Sequence, residues 1–176
     1  MTIFSAHDSF KAIFGSPTGP VIGGGVEVGV RPHVFVLIAA SRFARTGRRL
    51  FAFQNQIFDL HEPAVVRITP LEVSAGYRGT TAPTWIPYVG GGVGWYRYTE
   101  TSPRATDEES SHETFTGYHL IGGIERPMGR WMALSGEGQF TSVPGALGQS
   151  AAGVGSVYDE HDLGGFTVRV KVVVGR

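Results

Sequence analysis

The chain closes on GGFTVRVKVVVGR, Gly164 to Arg176, and this stretch most narrows what it can fold into. Side chains along a strand alternate faces with period 2. Phe166, Val168, Val170, Val172 and Val174 therefore share one face, and Thr167, Arg169, Lys171 and Val173 the other. One face is apolar and the other carries two cations. A soluble protein hides the valines, whereas a barrel in a bilayer turns them to lipid and keeps the cations inside.

The same strand signature recurs along the chain. Runs of alternating residues broken by turn chemistry predict eight strands, at about 2–7, 19–31, 33–44, 64–79, 84–99, 112–126, 129–143 and 163–175. Helical periodicity is confined to DSFKAIFGS, with Asp8 or Ser9 as N-cap and Gly15 at the end. The predicted connections alternate in length. Those at about 8–18, 45–63, 100–111 and 144–162 are long; those at 31–33, 78–84 and 126–130 are short. Long loops on one side and short turns on the other are a feature of outer-membrane barrels. The expected fold is all-β: one domain, residues 1–176, forming an eight-stranded antiparallel up-and-down transmembrane β-barrel with one short N-terminal helix.

Composition limits the alternatives. No run approaches the roughly 18 apolar residues of a transmembrane helix; the longest is VFVLIAA, Val34 to Ala40. The opening MTIFSAHDSF lacks the basic and apolar regions of a signal peptide. Formal net charge is zero, so no basic footprint for nucleic acid is present. Cysteine is absent, which excludes disulfides and thiolate metal sites. Charged residues make up 17% of the chain, below the roughly 25% of soluble domains.

The polar faces are more informative than the apolar ones. Val26, Val28 and Val30 oppose Gly25, Glu27 and Gly29; Leu71, Val73, Ala75 and Tyr77 oppose Glu72, Ser74 and Gly76. Tyr118, Leu120 and Ile124 oppose Gly117, His119, Gly123 and Glu125; Met132, Leu134 and Phe140 oppose Ala133, Ser135, Glu137 and Gln139. Segment 33–44 reads both ways, with Phe35, Leu37, Ala39 and Phe43 against Val36, Ile38, Ala40 and Arg42. A face of glycine, serine, alanine and one or two charges per strand makes a poor solvated surface. It suits a narrow lumen that side chains fill. The lumen candidates are Glu27, Arg42, Glu72, His119, Glu137, Gln139, Arg169 and Lys171. Glu27, Glu72 and Glu137 would pair there with Arg42, Arg169 and Lys171, since buried charges need partners. Tyr77, Trp85, Tyr88, Trp95, Tyr96, Tyr98 and Trp131 crowd near predicted strand ends, where a membrane interface favours such rings.

At PYVGGGVGWYRY (Pro87–Tyr98), GYHLIGGIE (Gly117–Glu125) and DLGGFTVRVKVVVGR (Asp162–Arg176) the chain resembles the small bacterial outer-membrane β-barrels, the OmpA-like and OmpW-like group. SFKAIFG ahead of a glycine-rich strand also resembles members with a helix after the first strand. The resemblance implies an outer-membrane location, periplasmic termini and extracellular long loops. It implies contact with outer-membrane lipid and lipopolysaccharide, and a protein partner through the loops. Many members end in an aromatic residue, where this chain has Gly175-Arg176.

Chemical motifs are few. GGGVG, Gly90 to Gly94, is followed by the strand-like WYRY, whereas a dinucleotide loop opens a helix. There is no Walker sequence and no H-E-x-x-H, and Ser135 lacks the preceding glycine of a nucleophile elbow, with Ala133 in its place. Asp159, Glu160, His161 and Asp162 in YDEHD have the chemistry of divalent-ion ligands, but also that of a solvated loop tip. TDEESSHE, Thr106 to Glu113, reads as an exposed acidic loop. Ser111 and His112 are adjacent and point apart; Ser135 with His119 is the one cross-strand pair to consider. The expectation is a non-enzymatic barrel with no catalytic, metal or cofactor site and no wide pore, with a structural, anchoring or surface-interaction role. The alternative is a soluble lipocalin-type barrel whose valines line a pocket for an apolar ligand.

Overall fold

A computed structural model describes residues 1–53, 56–79, 84–101, 111–147, 157–158 and 160–175. Its strands are β1 (Thr2–Phe4), β2 (Thr18–Gly19), β3 (Val21–Arg31), β4 (Val34–Phe53), β5 (Gln56–Arg78), β6 (Ile86–Thr101), β7 (Ser111–Pro127), β8 (Met132–Ser142) and β9 (Gly165–Val174). One helix, α1 (His7–Phe14), lies between β1 and β2. All nine strands form one sheet in the order β2-β1-β9-β8-β7-β6-β5-β4-β3. Every pairing is antiparallel. Among the described residues, no helix is long and apolar enough to cross a membrane.

The sheet, nine-stranded among the described residues, is not closed into a barrel, which corrects the expectation of a closed one. The predicted strand at 19–31 is two strands. Proline has no N–H for a ladder, and Pro20 falls at the break. Before it, β2 pairs with β1; after it, β3 pairs with β4 alone among the described residues. The two end strands of the sheet, β2 and β3, are thus one residue apart in the chain. The sheet curls until its edges meet at Pro20, and beyond that point β3 and β9 share no ladder among the described residues.

The expected loop at 45–63 is also corrected. The β4–β5 ladder continues from Phe43↔Ile68 through Gly47↔Ala64 to Phe53↔Gln56, with one irregularity between Arg48 and Leu50. Charged residues in RTGRRLFAFQNQIFDLHEP hide the alternation that the backbone follows. The expected turn residues 80–83, the acidic stretch 102–110 and residues 148–156 lie outside the described residues.

Helix α1 starts two to three residues earlier than its sequence signals. Its N-cap is Ala6, which has no side-chain acceptor, not Asp8 or Ser9. A distant carboxylate supplies the cap: Glu160 accepts from the Asp8 N–H at 2.9 Å and the Ser9 N–H at 2.8 Å. Gly15 closes the helix at φ 74°, its N–H bonded to the Lys11 carbonyl, a left-handed position where glycine carries no Cβ penalty. Phe10 of α1 stacks on Phe4 of β1 at 4.0 Å, and Phe43 of β4 meets Phe4 edge-on at 5.0 Å. These rings join Val66, Ile68, Tyr96, Val143 and Leu163 in an apolar core at the end of the sheet that carries the 143–164 connection.

Candidate functional site: a polar interior behind an apolar shell

On β8, Ser135, Glu137, Gln139 and Thr141 are buried, while Met132, Leu134 and Phe140 are exposed. On β9, Val168, Val170, Val172 and Val174 are 54% to 77% exposed, whereas Arg169 and Lys171 turn inward. Leu120 and Ile124 of β7, Val89 and Val93 of β6, Leu71 of β5, Ile38 of β4 and Val26, Val28 and Val30 of β3 are exposed on the same outer surface. The opening alternation is thus resolved with the valines outward and the cations inward.

The interior charges form two connected groups. In the first, Glu137 accepts from the Lys171 ammonium at 2.5 Å and from the Tyr88 hydroxyl at 2.9 Å, and lies 3.3 Å from Arg169. Arg169 also lies 3.9 Å from Glu72. Glu72 accepts from the Tyr96 hydroxyl at 2.8 Å and the Gln139 amide at 2.6 Å. Cross-strand register produces this meeting, because Glu137 sits opposite Arg169 and Ser135 opposite Lys171. In the second group, Arg78 bridges Glu27 at 2.5 Å and Glu125 at 3.4 Å.

Glycine makes room for the inward rings. A methyl on Gly123 would meet the Tyr88 hydroxyl at 2.5 Å, and one on Gly117 the Tyr96 ring at 2.9 Å. The glycines read in the sequence as small lumen residues are, at these positions, the floor beneath two tyrosines. This corrects the placement of Tyr88 and Tyr96 in an interfacial belt: both are buried hydrogen-bond donors. Tyr98 is partly buried against the apolar core. Tyr77, Trp85, Trp95 and Trp131 are exposed, and Arg126 and Arg130 lie over the rings of Trp85 and Trp131 at 5.3 Å.

Of the eight lumen candidates, Glu72, His119, Glu137, Gln139, Arg169 and Lys171 contribute to the interior, while Glu27 is exposed at the open cleft, where it pairs with Arg78. Arg42 does not: it is exposed, because Phe35 and Phe43 take the inward positions of β4. Phe43 is held by the aromatic core, and Phe35 packs edge-on against Tyr88 at 6.1 Å. Arg67 of β5 and Arg97 of β6 are likewise exposed beyond the apolar outer face. Sequence reading missed this outward arginine set, whose signal was three arginines in phase with apolar residues of their strands.

Ser135 does not pair with His119; its hydroxyl meets Tyr88 at 2.9 Å. His119 Nε2 instead meets the Ser74 hydroxyl at 2.7 Å. Glu72 lies 3.9 Å from His119 Nδ1, beyond hydrogen-bond reach. A serine, an imidazole and a carboxylate therefore stand in the order of a hydrolytic triad. Ser74 is 4% exposed and His119 3%, and neither is among the residues lining the two cavities described below.

The YDEHD residues are spent separately. Glu160 caps α1. Asp162 accepts from the Val143 and Gly164 N–H groups and the Ser142 hydroxyl, fixing the return into β9. His161 Nδ1 lies 3.3 Å from the Leu147 carbonyl oxygen. Asp159 is outside the described residues, and among the described residues no group of three metal-ligating side chains converges. GGGVG lies within β6.

Two cavities among the described residues adjoin this interior. One of about 60 Å³ lies between the apolar core and the Glu72–Arg169 group. The other, a cleft of about 800 Å³, opens between β3 and β9 and is lined by Gly23, Gly25, Glu27, Arg169, Lys171 and Val173, among others. No protein-family model and no curated protein matches the chain.

Proposed function

We propose that this chain is an integral β-barrel of a bacterial outer membrane, eight-stranded and up-and-down, with a structural, anchoring or surface-interaction role. One observation carries the reading: the strands turn their apolar residues outward and their charges inward. From Phe166 to Val174 every second side chain is apolar and exposed. That span is roughly 26 Å long at about 3.3 Å per residue, comparable before tilt with the band of about 25 Å on such barrels. In water this surface would be a large apolar patch. Lipid makes it the stable arrangement and leaves the ion pairs as the filling.

The interior supports a plugged barrel and not a wide pore. The α1 core fills one end, and the Glu137 and Glu72 groups cross the middle. A role then falls to the surface beyond the bilayer, with outer-membrane lipid and lipopolysaccharide around the barrel. The lipocalin alternative draws no support from β9, whose valines face away from the interior.

The test is depth-dependent quenching. Single cysteines at 168 and 170, carrying a fluorescent label, should be quenched by lipid-soluble agents in liposomes. Labels at 169 and 171 should be spared. The opposite phase, or a chain that stays folded and monodisperse without detergent, refutes the membrane reading.

A further inference from the structure

Arg42, Arg67 and Arg97 stand on three neighbouring strands, β4, β5 and β6, and all three are exposed. Strand register fixes their layout. The pairs Ala40↔Leu71 and Phe43↔Ile68 put Arg42 opposite Thr69, and Thr69 pairs with Arg97 on its other side. Arg67 is two residues away from Thr69 on β5, hence on the same face. The alternate residues Phe43, Ile68 and Tyr96 are buried, so the arginines and the exposed Thr69 leave the sheet on its outer side. They form a triangle with Thr69 inside it. At the usual strand spacing and rise, Arg42 and Arg97 are about 10 Å apart and Arg67 is about 8 Å from each.

These charges are not neutralised within the described residues, where none of the three arginines has a hydrogen-bond or ion-pair partner. Glu72 of β5 and Glu113 and Glu125 of β7 have the opposite strand phase. At the other end of the sheet the arginines are engaged: Arg78 with Glu27 and Glu125, Arg126 over Trp85 and Arg130 over Trp131. Like charges this close repel, and an anion between them removes the repulsion. Toward the short turns the same outer face becomes apolar at once. Leu71 and Trp95 pair with each other in the next outward row, both exposed, and Ile38, Val93 and Tyr118 follow.

We propose that this triangle binds the phosphomonoester headgroup of a membrane lipid, with the acyl chains running down over Leu71 and Trp95. A phosphomonoester presents three acceptor oxygens and close to two negative charges at neutral pH, an oxygen for each guanidinium. The arginine fork matches phosphate oxygens, and the Thr69 hydroxyl donates from the centre. A phosphodiester has a single charge and fewer free oxygens, so it fits the triangle less well. The apolar rows beneath assign the phosphate to a lipid and not to a free ion, because they complement chains that a free ion lacks. The inference rests on the membrane reading above and adds to it a lipid class and a place on the barrel.

Quenching of Trp95 tests it. Trp85→Phe and Trp131→Phe, both at exposed positions, leave Trp95 as the only tryptophan. The full chain is reconstituted in phosphatidylcholine vesicles holding a rising fraction of one chain-brominated lipid: phosphatidic acid, phosphatidylglycerol or phosphatidylcholine. Brominated phosphatidic acid should reach half-maximal quenching at a mole fraction about tenfold or more below that of brominated phosphatidylcholine, with phosphatidylglycerol clearly weaker than phosphatidic acid. Arg42→Gln/Arg67→Gln/Arg97→Gln should erase the preference, and Arg126→Gln/Arg130→Gln should leave it intact. Phosphatidylglycerol equal to phosphatidic acid, or a preference that survives the triple variant, overturns the proposal. So does loss of the preference on adding inorganic phosphate, which would assign the site to a free anion. Equal quenching by all three lipids defeats this inference and leaves the membrane reading standing, whereas no quenching by any of them defeats the membrane reading itself.

Discussion

Glu137→Leu removes the acceptor on which the interior converges. The Glu137 side chain is 2% exposed and is shared by Lys171, Arg169 and the Tyr88 hydroxyl. Breaking a buried ion pair costs about 3–5 kcal/mol, because the partner keeps an uncompensated charge. Two features place this site at the low end. Lys171 is 29% exposed and can turn its ammonium toward the cleft, and Arg169 keeps Glu72 at 3.9 Å. Tyr88 keeps the Ser135 hydroxyl. The expected loss is therefore about 3 kcal/mol, on the order of a hundredfold in the folding equilibrium. Glu113→Gln, at an exposed position, should shift stability by less than about 0.5 kcal/mol. Reversible urea unfolding, followed by tryptophan fluorescence in micelles or vesicles, measures both. The double variant Glu137→Leu/Lys171→Met removes the orphaned ammonium and should recover roughly half of the loss. Equal effects of Glu137→Leu and Glu113→Gln, or a double variant worse than the sum of its parts, would refute a buried network.

Gly123→Ala drives a methyl against the Tyr88 hydroxyl and should cost about 1–3 kcal/mol, whereas Gly136→Ala meets nothing within 4 Å and should be close to neutral in the same unfolding assay. Glu160→Gln weakens the only side-chain cap on the start of α1 that the described residues show; about 1 kcal/mol of local stability should go, read as faster exchange of the Asp8 and Ser9 amides with β7 unchanged. Purified protein in planar bilayers should give no stable porin-sized steps, because the α1 core and the Glu72–Arg169 group occupy the passage; reproducible large conductance would make the protein a channel.

Much of the interior was legible because period 2 is a local property. Glu72, His119, Glu137, Gln139, Arg169 and Lys171 each follow from counting along one strand, and the structure places all six inside. Counting failed on β4, where both faces are apolar in places and Arg42 was assigned inward. Phe43 took the inward phase because Phe4, Phe10 and Phe14 wait there from α1 and β1, a long-range contact that no window on 33–44 contains. The pairing of His119 with Ser74 and not Ser135 has the same origin. Both serines are buried on inward faces, and only the packed interior decides which one the imidazole reaches.

The sequence by itself determined the strand periodicity, the short turns at 31–33 and 126–130 and the separation of an apolar from a polar face, since these depend on neighbours one to four residues apart. It did not determine closure. Whether a curled sheet completes its ladder depends on strands brought together from opposite ends of the chain, and Pro20 divides β2, which pairs with β1, from β3, which pairs with β4. Nor did it determine how the charges are used. Glu160 reads as a loop-tip acid, yet it caps a helix more than 140 residues upstream, with partners 151 and 152 residues away. Side-chain partners at that separation are set by three-dimensional packing, and local sequence carries no record of them.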